Sequence, residues 1–108
     1  MLIAWGPMRS IPILLGVILA VTACGGPAED ASGEDVYLQV CARCHGADLG
    51  GGVGPALGAG SEAADRTDEF LLDTITLGRG RMPSVSHTLS AAQIDRVVTF
   101  LRRVQAGT

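Results

Sequence analysis

Cys41-Ala42-Arg43-Cys44-His45 constrains this chain more than any other stretch of it. Two thiols three positions apart can each add to one vinyl group of the same porphyrin. The His beside the second thiol is then held under the iron as an axial ligand. A chain that makes these bonds must fold around a large, flat, apolar disc. Two other readings of the motif are weaker. A Cys-x-x-Cys pair can run thiol–disulfide exchange, but that chemistry goes with a βαβ pattern, and the sequence offers no strand runs or hairpins. A zinc site would need a fourth ligand, and no plausible one is present.

Residues 1–23 read as a removable export segment. Arg9 supplies its positive charge, and an apolar run over 11–21 is broken only by Pro12 and Gly16. Met8 is an alternative start, because Met8-Arg9-Ser10 before the run is the more typical layout. The run is shorter than the roughly 20 residues needed to span a bilayer. Nothing from residue 25 onward is apolar for long enough to do so. The run ends in Val21-Thr22-Ala23-Cys24, which resembles a bacterial lipobox. In that reading Cys24 is lipidated and becomes the first residue. The alternative is an ordinary signal peptide with Cys24 near the cut. Cysteine arithmetic favours lipidation: of three Cys, two serve the haem motif, and an exported chain would otherwise carry an odd free thiol.

Residues 24–32 then form the lipidated Cys and a flexible tether, and 33–106 form one domain. Such a domain is small for an independent core, and a covalent haem would fill the deficit. Eight basic residues stand against eleven acids, for a net charge of −3. An acidic chain of this kind argues against a nucleic-acid partner.

Taken in order, the domain reads as helical. A first helix is expected over 32–44, with Ser32 and Asp35 as an imperfect capping box. Its apolar side carries Val36, Tyr37, Val40, Cys41 and Cys44 at helical spacing. Residues 45–60 are a Gly-rich loop suited to a backbone that turns closely along a flat ligand. It offers carbonyls at Gly54 and Pro55 and an apolar contact at Leu57. Residues 61–66 are polar and expected to be exposed. Thr67 can cap a second helix that places Leu71 and Ile75 on one face and stops at Gly78. Gly78-Arg79-Gly80-Arg81-Met82-Pro83 comes next. A lone Met is usually core filler, but a Gly- and Pro-containing loop suits a thioether ligand better. Ser90 and Gln93 box the last helix, where Ile94, Val97, Val98, Leu101 and Val104 form the clearest amphipathic stripe. His87, between Ser86 and Thr88, reads as a solvated loop residue rather than a second iron ligand.

These residues resemble a class I cytochrome c of the small bacterial monohaem type, over about residues 33 to 104. The likeness is carried by Cys41 to Gly46, by Gly54-Pro55-Ala56-Leu57, by Met82-Pro83, and by Gly33 and Tyr37 matched with Val97 and Phe100. The resemblance implies an all-α shell of three to four helices around one covalent haem c. It implies His45 and Met82 as axial ligands on opposite faces of the iron, with the Pro55 carbonyl orienting His45. Family members often bond a haem propionate with a Trp. This chain has none after Trp5, and Arg79 or Arg81 is the substitute.

The expected function is that of an electron carrier, not an enzyme. It would pass single electrons between redox proteins on the outer side of the cytoplasmic membrane. A lipid anchor would hold it facing the periplasm or cell exterior, as a monomer or as a subunit of a respiratory complex. The alternative keeps the fold and makes the chain a fixed cytochrome subunit of a larger dehydrogenase or oxidase.

Overall fold

Ser32 accepts the Asp35 N–H on its hydroxyl at 3.1 Å and opens the first helix, as its spacing predicts. The computed structural model describes residues 25–108, together with Gly6 and Gly16. The rest of the expected export segment and Cys24 lie outside the described residues. From Ser32 the chain runs helically to His45, but not as one regular α-helix. A short α1 (Gly33–Val36) passes through a π-helical turn (Tyr37–Cys41) into α2 (Ala42–His45). The wide turn closes with the Ala42 N–H donating to the Tyr37 carbonyl. Cys41 is half-buried, Cys44 is exposed, and His45, the last helical residue, is buried. Such turns inside helices occur often at functional sites.

The polar stretch over 61–66 forms a 3₁₀ turn (Glu62–Asp65). Thr67 then caps α3 (Asp68–Leu77) by accepting from the Phe70 N–H at 3.1 Å, and Gly78 ends it at φ +77°. Ser90 and Gln93 complete both bonds of the capping box that begins α4 (Ala91–Gln105). Among the described residues the only bridge is Arg79 with Met82, and no helix is long and apolar enough to cross a membrane.

Both α1 and α3 pack on α4. The stripe expected on α4 is buried at Ile94, Val97, Val98 and Leu101, with Phe100 beside it. At the crossing with α1, Gly33 is so close that a Cβ there would lie 2.1 Å from the Arg96 carbonyl oxygen. Four residues on, the Tyr37 ring stacks tilted on Phe100, centroids 5.5 Å apart. Gly33, Tyr37 and Phe100 therefore meet as the resemblance implies, with Val97 buried in the same core.

The flexible tether expected over 24–32 needs correcting in its second half, because residues 27–31 are strapped to the start of α4. Gln93, 2% exposed, donates from its amide nitrogen to the Pro27 and Ala28 carbonyls at 3.1 and 3.0 Å. Arg96 donates to the Ala31 carbonyl at 3.1 Å and to the Glu29 carbonyl, while Ser90 donates to the Glu29 carboxylate at 2.7 Å. Removing the strap would leave a buried amide unpaired, at a cost of about 1–3 kcal/mol.

Candidate functional site

His45 is the last residue of α2, and the chain must reverse directly after it. Gly46 makes the turn at φ +85°. The loop then folds back to satisfy the carbonyls that the helix end leaves open. Gly54 N–H donates to Cys44 O at 2.7 Å, Gly51 N–H to His45 O at 2.8 Å, and Gly46 N–H to Ala42 O at 2.7 Å. Leu49 is buried at φ +61°, a left-handed position uncommon for a residue with a side chain. Its carbonyl receives the N–H groups of Leu57 and Gly58.

This folding brings the Pro55 carbonyl to 2.8 Å from Nδ1 of His45, whose side chain is buried. A carbonyl only accepts, so Nδ1 is the donor in this contact and Nε2 is the ring nitrogen it leaves for another partner. Gly54 lies against the same ring: a Cβ there would meet Cε1 and Nδ1, each at 2.9 Å. Tyr37, read from its spacing only as core, also supports this turn. Its hydroxyl donates to the Gly46 carbonyl at 2.6 Å. Burial, then the nearby Cys41 and Asp48, push its pKa up to about 12, so the phenol keeps the proton it donates.

Cys41 is half-buried, Cys44 is exposed, and neither is in a disulfide. Burial, with a further contribution from Cys44, raises the Cys41 thiol to about 11. Thiol–disulfide catalysts need the opposite shift, toward a reactive thiolate. Leu57 packs at the edge of the core, and Pro55 is exposed except for its carbonyl contact with His45.

Met82 comes from the other side of the sequence, half-buried against the core. Arg79 and Met82 exchange two backbone hydrogen bonds, at 3.0 and 2.9 Å, around Gly80 at φ +57°. The result is a tight hairpin rather than a loose loop. The two Arg of this hairpin are exposed. Arg79 lies over the Phe70 ring at 5.0 Å, and a second guanidinium, that of Arg66, lies over the same ring at 4.9 Å. His87 is exposed in the turn over 86–88.

One buried imidazole with a free Nε2, two unbridged thiols at Cys-x-x-Cys spacing, and a thioether on a braced hairpin fit haem c. The space a Cβ would fill at Gly54 is taken by the imidazole ring, as a ring held edge-on to the backbone requires. Residues 28–101 match the family model described as cytochrome c oxidase, cbb3-type, subunit III.

The chain belongs to the cytochrome c family.

Its relatives in that family include cytochrome c6 of Rippkaea orientalis, 33% identical over 95 residues, which are 82% of this chain and 81% of that protein. Cytochrome c-551 of Bacillus subtilis is 42% identical over 57 residues, 52% of this chain and 48% of that protein. The crystal structure of cytochrome cL from Hyphomicrobium denitrificans superposes with a TM-score of 0.61 at 32% identity, over 68% of this chain and 45% of that one. The matched region thus spans about half the length of the last two. The fold is that of a small monohaem class I cytochrome c, all-α as expected. Cytochromes c are electron carriers rather than enzymes, and their haem c is covalently bound.

Proposed function

We propose that this cytochrome c is a membrane-anchored carrier that passes single electrons between redox proteins on the outer side of the cytoplasmic membrane. The observation that carries the reading is the 2.8 Å contact between Nδ1 of the buried His45 and the Pro55 carbonyl. It leaves one nitrogen of a fixed ring as a metal ligand. Cys41 and Cys44 would hold the haem through thioether bonds, and Met82 would be the second protein ligand to its iron. Bound haem c provides the one-electron couple. The Met82 thioether favours the reduced state and raises the potential. With an imidazole and a thioether both committed to the metal, no position is left for a substrate. The exposed Arg79 and Arg81 are the proposed propionate partners.

Ligand substitution tests this assignment. The oxidised protein should show a weak sulfur-to-iron band at the red end of the visible spectrum. Met82→Ala should abolish it and lower the potential, and His87→Ala should change neither. The reverse pattern would overturn the ligand set.

The anchor is proposed on Cys24, at the end of the Val-Thr-Ala-Cys run. Multiple acyl chains would give stable membrane binding where one chain would not. Cys24→Ser should move haem-loaded protein from the membrane to the soluble fraction or block its processing. A wild-type protein found soluble with a free N-terminus would refute the anchor.

The description of the matching family model, an oxidase subunit, favours a second reading in which the chain is a fixed subunit of a larger complex. In that case protein drawn from native membranes brings down one partner in constant ratio. A free carrier does not.

A further inference from the structure

The end of α3 is closed by the segment C-terminal to Met82 together with Gly78. Of its last four carbonyls, one keeps the regular i to i+4 bond from the Gly78 N–H and two take partners from beyond the helix. Gly78 N–H donates to Thr74 O at 2.9 Å, Val85 N–H to Ile75 O at 3.3 Å, and the Ser84 hydroxyl to Thr76 O at 2.6 Å. Ser84 has a single proton to give, and Thr76 takes it. Its lone pairs therefore accept from Ser86, whose backbone N–H is at 3.3 Å and hydroxyl at 2.9 Å. Gly78 makes the close approach feasible. A Cβ there would lie 2.7 Å from both the Met82 carbonyl oxygen and the Ser84 nitrogen.

Met82 is thus held from two directions. Arg79 pairs with it across the hairpin, and two residues later Ser84 ties the chain back to the helix that carries the buried Leu71 and Ile75. Of these restraints only the Ser84 bond comes from a side chain, so it is the one that sequence can add or remove. We propose that Ser84 is a positioning residue for Met82: its bond to the Thr76 carbonyl keeps the thioether where a metal opposite His45 would take it. This rests on Met82 being the distal ligand.

The test uses the haem-loaded, oxidised full chain and cyanide as probe, since cyanide can bind only when the sulfur has left. Losing a hydrogen bond of this kind shifts a local equilibrium by roughly five- to tenfold. Ser84→Ala should therefore bind cyanide roughly five- to tenfold faster than wild type and show a weaker sulfur-to-iron band. Ser84→Thr, which keeps the hydroxyl, should restore both. Ser32→Ala removes a helix cap of similar worth away from the hairpin. It should lower the melting temperature comparably and leave the cyanide rate alone. If Ser84→Ala binds cyanide at the wild-type rate, or if Ser32→Ala accelerates it equally, the positioning role is refuted. Met82→Ala separates the two claims. If it abolishes the band while Ser84→Ala changes nothing, only the Ser84 role falls. If Met82→Ala itself leaves band and rate untouched, the ligand assignment falls and the role of Ser84 falls with it.

Discussion

Gly33→Ala should destabilise the haem-loaded protein by more than ~3 kcal/mol, beyond the usual range for adding one methyl to a packed site. The new Cβ would sit 2.1 Å from the Arg96 carbonyl oxygen, 2.6 Å from its carbon and 3.1 Å from the Phe100 Cβ. Two of these neighbours are backbone atoms in the middle of α4, so no rotamer change relieves the overlap. The helices must separate, and the stacking of Tyr37 on Phe100 breaks first. In helical propensity Ala gains at most about 1 kcal/mol over Gly, too little to offset the clash. For a domain of this size the melting temperature should fall by more than about 12 °C. A variant that melts within about 4 °C of wild type would show that α1 and α4 do not cross as closely as described.

The double substitution Cys41→Ala with Cys44→Ala should have a still larger effect. The protein should lose its covalent haem, seen as a polypeptide mass without the added group under denaturing conditions. It should also lose most of its helical circular dichroism. The helical run over 33–45 is interrupted by the five-residue π turn, which leaves four α-helical residues on each side, and α3 contains ten. Isolated helices below about 12–15 residues are marginal in water. α4, with fifteen, is the one uninterrupted α-helix of that length among the described residues. The shorter helices form because they pack, and the proposed haem is the largest apolar body they would pack on. A cooperative, native-like melt of the double variant would refute this account.

Much of the fold was legible because its signals are local. Ser32, Thr67 and Ser90 each announce a helix start through an oxygen three residues from its donor. The α4 stripe repeats on one face, and Cys41, Cys44 and His45 sit within five consecutive residues. The features that stayed hidden depend on distance along the chain or carry no local marker. Gln93 announces itself as half of a capping box, but its amide nitrogen is taken by carbonyls 65 and 66 residues away. No spacing rule connects Ser84 to Thr76, because their bond exists only once the hairpin has formed. The π-helical turn has no marker among Tyr37, Leu38, Gln39 and Val40. Tyr37 was legible as core and illegible as a donor, since its position on the stripe says nothing about where its hydroxyl ends.

The strap on α4 sets a radius. Pro27 and Ala28 are fixed to Gln93, and Gly26 is pressed so close to Thr88 that a Cβ on it would meet the Thr88 carbonyl oxygen at 2.8 Å. Only Gly25 separates that point from the proposed acyl-bearing Cys24. Two extended residues reach roughly 7 Å, less than the diameter of a helix with its side chains. If Cys24 carries the proposed anchor, a domain on so short a leash would pivot at the bilayer surface without leaving it. Its encounters would then be a two-dimensional search at high effective concentration. Proteins resident in the same membrane would be met constantly, and a soluble donor or acceptor would have to come to the lipid surface to exchange an electron.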